Sequence, residues 1–258
     1  MTCWGGQRCY ANNQGVRIYY EVRGFGLPLV LHHGTLGTGR DWNNFGYTSV
    51  LAHKHQLLLI DARGHGRSDK PHDPNAYHLP LRVADVTAVL DNHGIGRVDY
   101  FGYSMGGWVG FGLAKHAPDR LHSLILGGTH AFAEEMKLSR DFMPREPVAF
   151  LAYIESVFGS YMTPAIRADL MANDLDAVLA SMRDRPSLAD VLPTISLPCL
   201  LYSGEFDPRL SRIQECLQGL DNGTFFSLPE CDHLAAFARS DLVLPHATAF
   251  LAKVSQDR

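Results

Sequence analysis

The chain has 258 residues, of which 46% are hydrophobic, and a formal net charge of −4 at pH 7. These values fit one large α/β domain, or a domain with an insertion, and they exclude a chain without a folded core. The slight acidic balance, the lack of a long apolar run and the lack of a basic-then-apolar leader predict a cytoplasmic protein, without nucleic-acid partners and without membrane insertion.

The first half of the chain alternates predicted strands and helices. Residues 1–15 are glycine-rich and irregular in pattern. After them, short apolar runs predict buried strands, and apolar residues at helical spacing predict the helices between them. In chain order these are strands at 16–22 and 29–33, a helix at 41–52, a strand at 56–61, a helix at 81–90, a strand at 97–101, a helix at 107–116 and a strand at 121–128. This alternation predicts an open, mostly parallel α/β sheet.

The alternation stops between residues 129 and 193, where the pattern is mainly helical. Helix candidates are 131–139, 148–158, 164–183 and a short piece at 187–192. The segment is either a small helical subdomain with its own apolar contacts or a cap over the functional site. Its insertion between two strands favours the cap, so we expect a core of residues 1–128 and 194–258. Strands resume at 199–204 and 224–228, with helices at 211–219 and 242–254.

The cysteines give no sign of a metal site or a disulfide framework. They are Cys3, Cys9, Cys199, Cys216 and Cys231. An odd number without a C-x-x-C pair is typical of reduced thiols packed as small apolar side chains. The spacing of His32, His33 and Asp61 is not typical of zinc ligands. We therefore expect no metal and no cofactor.

The segment Gly102-Tyr103-Ser104-Met105-Gly106 reads G-x-S-x-G and lies between a predicted strand and a predicted helix. This context is typical of a nucleophile elbow, in which a serine hydroxyl stands clear of the sheet on a strained turn. A Cβ at either flanking glycine position would clash with neighbouring backbone. The pattern predicts Ser104 as a catalytic nucleophile.

A serine nucleophile requires a general base and an orienting carboxylate. Asp207 and His233 each follow a late strand, and active sites of parallel sheets gather at the carboxyl ends of strands. The order Ser104, Asp207, His233 is that of the α/β-hydrolases. Glu205 and Asp232 are rival acids, but Glu205 lies too near its strand end and Asp232 adjoins the histidine.

The tetrahedral oxyanion of acyl transfer requires preorganised N–H donors. We expect the backbone N–H of Met105, at the start of the elbow helix, and that of Thr35, in the loop after the second strand. We further expect four residues to contact the substrate: His33, Gly34, Tyr103 and His130.

The chain resembles an α/β-hydrolase of the lid-bearing esterase and lactonase type. The resemblance is carried by His33-Gly34-Thr35, by the segments 61–68, 102–107 and 204–207, and by the loop of His233. It implies an eight-stranded, mostly parallel sheet flanked by helices, with a helical cap inserted after the sixth strand. The loop 64–70 is then a structural element and pocket wall, since it lacks the G-K-[ST] ending of a phosphate-binding loop.

The nucleophile narrows the activity that the resemblance implies. Dehalogenases and epoxide hydrolases of this fold use Asp at the elbow, where this chain has Ser104. We expect a serine hydrolase of carboxylic esters, including lactones of the acyl-homoserine type, that acts through an acyl-enzyme. One alternative is a carbon–carbon bond hydrolase or a cofactor-free haloperoxidase-like enzyme. Another is a slow-turnover small-molecule receptor. The partner is a small ester or lactone, and the oligomeric state stays open.

Overall fold

An eight-stranded sheet forms the centre of the fold in the computed structural model, which describes residues 8–256. Its strands are β1 (Arg8–Asn13), β2 (Val16–Arg23), β3 (Leu27–His32), β4 (His55–Ile60), β5 (Val98–Tyr103), β6 (Leu121–Gly127), β7 (Cys199–Gly204) and β8 (Gly223–Leu228). Their order across the sheet is β1-β2-β4-β3-β5-β6-β7-β8. The strand β2 pairs antiparallel with β1 and β4, whereas all other neighbours are parallel. The predicted eight-stranded, mostly parallel sheet is confirmed.

Helices cover both faces of this sheet. They are α1 (Asp41–Asn44), α2 (Tyr47–Leu51), α3 (Leu79–His93), α4 (Met105–His116), α5 (Lys137–Phe142), α6 (Pro147–Phe158), α7 (Pro164–Met171), α8 (Leu175–Ser181), α9 (Leu210–Gln218), α10 (Ala235–Ala238) and α11 (Ser240–Gln256). Tyr100 and Phe101 of β5 are both fully buried, Tyr100 in the layer of α3 and α4 and Phe101 against Trp42 of α1. Burial on both faces explains why the strand sequences are continuously apolar.

Three predictions of local structure are wrong. Arg8–Asn13 forms β1 rather than irregular chain, because it pairs with β2; residues 1–7 lie outside the described part. Gly46 divides the predicted helix 41–52 into α1 and α2, since its φ of 88° belongs to the left-handed region that favours glycine. The predicted helix 164–183 is also two helices, because the Asp174 side chain accepts a hydrogen bond from the Ala177 N–H and begins α8.

The prediction for the cysteines is wrong at one position. Cys9 is disulfide-bonded. In contrast, Cys199, Cys216 and Cys231 are free and buried, as small apolar side chains are. Cys3 lies outside the described residues.

The segment between β6 and β7 contains α5 to α8 and has its own apolar cluster, which includes Phe150, Ile154 and Val178. The helix α5 begins later than predicted, at Lys137. The segment rests on the loop that follows β3, because the cluster contacts Leu36 and the Asn173 side chain donates a 2.8 Å hydrogen bond to the Leu36 carbonyl. The division into a core (1–128 and 194–258) and a cap (129–193) stays a prediction.

Within residues 8–256, no helix combines the length and the apolar character that crossing a bilayer requires.

Candidate active site

Ser104 occupies a strained turn between β5 and α4. Its φ of 52° and ψ of −109° lie where L-residues are rarely found. A Cβ on Gly106 would lie 2.2 Å from the His32 carbonyl oxygen, and one on Gly102 would lie 2.5 Å from the backbone of Gly106. Gly106 is therefore required by the close approach of the elbow to β3, and Gly102 by the close approach of β5 to the first turn of α4, as the sequence motif predicted.

The hydroxyl of Ser104 lies in a continuous hydrogen-bonded series with His233 and Asp207. Its Oγ is 3.1 Å from His233 Nε2, and His233 Nδ1 is 2.6 Å from Asp207 Oδ2. With Nδ1 donating to the carboxylate, Nε2 is left as the acceptor for the serine hydroxyl proton. The structure thus brings together the three residues that the sequence placed at three separate strand ends, and the geometry suits general-base activation of a serine.

The two rival acids serve local structure instead. The Glu205 carboxylate accepts a 3.2 Å hydrogen bond from the Glu230 N–H. Asp232 accepts a 2.7 Å hydrogen bond from the Ala235 N–H at the start of α10. Neither carboxylate is hydrogen-bonded to the imidazole of His233 within the described residues.

Asp207 is held in its ionised form. Burial works to raise its pKa, but the hydrogen bond and charge of His233 outweigh burial, assisted by the Arg209 N–H that donates to Asp207 Oδ1 at 2.9 Å. The pKa of Asp207 is consequently lowered. A buried carboxylate that stays charged can stabilise the imidazolium that forms when His233 takes a proton.

Two backbone amides flank the serine. Met105 is the first residue of α4, and Thr35 lies in the loop after β3, whose Gly34 approaches Ser104 so closely that an added Cβ would be 3.3 Å from the serine Cβ. Within residues 8–256, neither the Thr35 N–H nor the Met105 N–H donates a hydrogen bond. Unengaged N–H groups beside a nucleophile can receive a developing oxyanion, and this role for them stays a prediction.

A cavity of about 300 Å³ opens onto Ser104 and His233. Much of its wall is apolar and comes from α5, α6 and α10 and the chain near them; Met143, Phe158 and Phe237 are examples. Such a wall suits the carbon skeleton of a small organic molecule.

Two of the four predicted substrate contacts lie at this cavity and two do not. Gly34 and Tyr103 line it, whereas His33 and His130 are not among its lining residues. Both ring nitrogens of the fully buried His33 serve the fold, since Nδ1 donates to the Gly34 carbonyl and Nε2 accepts the Ala62 N–H. Burial also lowers the pKa of His33. The structure therefore does not place His33 and His130 at this cavity, and substrate contact by any of the four residues stays a prediction.

The cavity wall also contains three charged residues that were not predicted from the sequence: Asp41, Arg185 and Arg209. Arg185 and Arg209 both bind Glu134. No local motif marks them, because they come from segments far apart in the chain. A long-range backbone pairing joins Glu134 to Arg185, and the carboxylate of Glu134 also binds Arg209.

The chain is similar to several known proteins in sequence and in fold. The model of the α/β hydrolase fold family matches residues 28–152. The 3-oxoadipate enol-lactonase 2 of Acinetobacter baylyi is 30% identical over 196 residues, which cover 70% of this chain and 72% of that protein. The putative 2-succinyl-6-hydroxy-2,4-cyclohexadiene-1-carboxylate synthase of Bacillus subtilis is 26% identical over 88% of this chain and 90% of its own length. A solved thermophilic esterase from Thermogutta terrifontis is 25% identical with a TM-score of 0.81, covering 96% of this chain and 99% of that one.

Proposed function

The chain belongs to the α/β-hydrolase fold family, and from this premise we propose that it is a serine hydrolase of carboxylic esters, lactones among them. One observation carries the proposal: Ser104, His233 and Asp207 are linked by hydrogen bonds of 3.1 and 2.6 Å at the wall of a single cavity. The similarity to a protein named as an enol-lactonase supports the inclusion of lactones. The apolar part of the cavity suits an acyl chain, as in acyl-homoserine lactones.

The proposed mechanism has two halves. In the first, Ser104 Oγ attacks the ester carbonyl while His233 Nε2 takes the hydroxyl proton, and the N–H groups of Thr35 and Met105 hold the oxyanion. The imidazolium then gives its proton to the departing alkoxide, which leaves an acyl-enzyme. In the second half, water gives a proton to His233 and attacks the acyl carbon, and the released Ser104 takes that proton back. Asp207 keeps the imidazole oriented throughout.

The test is ester hydrolysis by the wild type and by Ser104→Ala, followed as acid release at constant pH. The substrates are p-nitrophenyl acetate, p-nitrophenyl hexanoate and N-hexanoyl-homoserine lactone. We expect repeated turnover by the wild type and a loss of about 10⁴-fold or more in the variant, as is typical when a serine nucleophile is removed. Circular dichroism checks that the variant is folded.

Two results would contradict the proposal. Substantial hydrolysis by folded Ser104→Ala would remove the serine from its assigned role. A single burst of acid per wild-type molecule, with no further turnover on any of the three substrates, would favour a receptor that retains the catalytic residues.

A further inference from the structure

The cavity of Ser104 carries more positive charge than its hydrolytic residues require. Arg185 and Arg209 both line it, and both bind the single carboxylate of Glu134, which is not a lining residue. The Arg185 Nη1 lies 2.9 Å from one Glu134 oxygen, and the Arg209 Nη2 lies 2.5 Å from the other. Two guanidinium groups at the cavity wall thus share one acid.

Arg185 offers the clearer unused donors. The residue is 7% exposed, and its guanidinium lies over the Trp108 ring at 5.5 Å. Of its side-chain nitrogens, only Nη1 donates to an acceptor within the described part of the chain; Nε and Nη2 do not. Burial and the nearby Arg209 lower the pKa of Arg185 to about 10, so the group stays charged at neutral pH. These two donors are therefore free to bind an acceptor that enters the cavity.

The neighbouring charges offset this excess only in part. Arg82 is also buried close by, and its guanidinium donates to the carbonyls of Tyr77 and Ser181 with no carboxylate partner among the described residues. The ionised Asp207 carboxylate offsets part of the charge of Arg209, but it is not among the groups that shift the pKa of Arg185. Burial raises the pKa of Asp41 to about 7, which reduces its negative charge.

We infer that the substrate of this site carries a carboxylate, which Arg185 binds through Nε and Nη2 while Ser104 attacks an ester or lactone carbonyl of the same molecule. The inference rests on the proposed function and names its substrate class: half-esters of dicarboxylic acids, and lactones that bear a carboxylate. A planar guanidinium with two adjacent N–H groups matches the two oxygens of a carboxylate, and such charge-assisted pairs are the strongest of the ordinary hydrogen bonds.

The first experiment compares two substrates that differ in one group. Monoethyl adipate carries a carboxylate, and ethyl 5-carbamoylpentanoate carries a neutral amide of the same size in its place; ethanol release gives kcat/KM for each. We expect the wild type to prefer the half-ester by roughly 10- to 100-fold, where a factor of ten corresponds to about 1.4 kcal/mol. In Arg185→Met this preference is expected to fall to about threefold or less, because kcat/KM decreases for monoethyl adipate and not for the amide ester.

The variants are chosen to separate charge from structure. Arg185→Met keeps an unbranched side chain beside Trp108 and leaves Glu134 paired with Arg209, so no buried charge loses its last partner. Arg185→Lys keeps the charge without the planar fork and is expected to retain part of the preference. The control Arg212→Met removes an arginine outside the cavity, which binds Glu215, and is expected to keep the wild-type preference.

A binding experiment separates this inference from the proposed function. Calorimetric titration of Ser104→Ala with the same two esters measures affinity without turnover. Tighter binding of monoethyl adipate that is lost in the double variant Ser104→Ala/Arg185→Met supports the carboxylate site, even if the wild type hydrolyses neither ester. Equal affinity for both esters, or equal wild-type kcat/KM values with hydrolysis intact, overturns the carboxylate inference and leaves the serine hydrolase in place.

Discussion

The phenol of Tyr103 donates a hydrogen bond to the backbone carbonyl of His233, which lies 130 residues further along the chain. Tyr103 precedes Ser104 directly, so this bond ties the residue before the proposed nucleophile to the proposed general base. The Tyr103 ring also stacks on Phe237 at 4.6 Å with an interplanar angle of 12°. Tyr103, predicted as a substrate contact, thus also has a structural role, because it supports the loop of His233.

We predict that Tyr103→Phe lowers kcat on simple esters by about tenfold with a smaller change in KM. The variant keeps the ring and its stacking but loses the bond that fixes the His233 backbone, and small displacements of a catalytic group are costly in rate. The loss of one buried hydrogen bond also lowers the free energy of unfolding by about 1 kcal/mol.

Tyr47→Phe is the matched control for this change. Tyr47 is fully buried and donates a 2.8 Å hydrogen bond to the Phe237 carbonyl, but it does not contact His233. We expect a similar loss of stability with kcat retained. Equal losses of kcat in the two variants would contradict a positioning role for Tyr103.

The assignment of Asp207 as the orienting acid gives a second prediction. Asp207→Asn is expected to lower kcat by roughly 10⁴-fold, because an amide at this position favours the wrong tautomer of His233. Glu205→Gln is the control, since its carboxylate serves only the Glu230 N–H within the described residues and its amide oxygen can still accept that bond. Steady-state kinetics of the two variants test this assignment. A loss of kcat in Glu205→Gln with kcat retained in Asp207→Asn would show that Asp207 is not the orienting acid.

The elbow gives a third prediction, on stability. A methyl group added at position 106 meets the His32 carbonyl oxygen at 2.2 Å, and backbone cannot move aside as a flexible side chain can. We expect Gly106→Ala to lower the free energy of unfolding by about 3 kcal/mol or more, at the upper end of overpacking.

Gly96→Ala is its control, because a Cβ there has nothing within 4 Å and its φ does not favour glycine. Gly96→Ala is expected to change the free energy of unfolding by no more than about 1 kcal/mol in either direction. Urea unfolding followed by circular dichroism measures both variants. Equal stability of the two would mean that the approach between β3 and the elbow is looser than described.

Some residues at the candidate site could be predicted from the sequence and others could not. Ser104, Asp207 and His233 could be predicted because each follows a strand, and parallel strands bring their carboxyl ends to one edge. Arg185 could not, because its place in the cavity depends on the packing of the segment between β6 and β7 against the sheet. Arg209 follows β7 two residues after Asp207, but no motif marks it. Their shared partner Glu134 is 51 residues from Arg185, so no periodic pattern connects them.

The errors in the fold have the same origin. Glycines made residues 1–15 look irregular, yet tertiary pairing with β2 makes a strand of Arg8–Asn13. The helical pattern of 41–52 hid the break at Gly46, because hydrophobic spacing continues across it. Local patterns report which face of a segment is apolar, whereas strand partners and helix breaks depend on long-range contacts.

The last prediction concerns pH and Asp41, which lines the cavity and accepts a hydrogen bond from the Thr38 N–H. Burial, together with the carboxylates of Asp169 and Asp61, raises its pKa to about 7 in spite of that bond. An acid with a higher pKa in the folded than in the unfolded protein binds its proton more tightly when folded. Its contribution to stability is therefore present at low pH and lost as the pH rises from about 4 through 7.

Asp41→Asn removes this dependence while keeping an oxygen that can accept the Thr38 bond. Each tenfold difference in proton affinity corresponds to about 1.4 kcal/mol of unfolding free energy, and contact with solvent in the cavity reduces the total effect. We therefore expect the free energy of unfolding of the variant, relative to wild type, to rise by about 2 kcal/mol between pH 5 and pH 8. Urea unfolding at both values measures it, with the exposed Asp221→Asn as the control. A stability difference between Asp41→Asn and wild type that is the same at both pH values would show that Asp41 is ionised in the folded protein throughout this range.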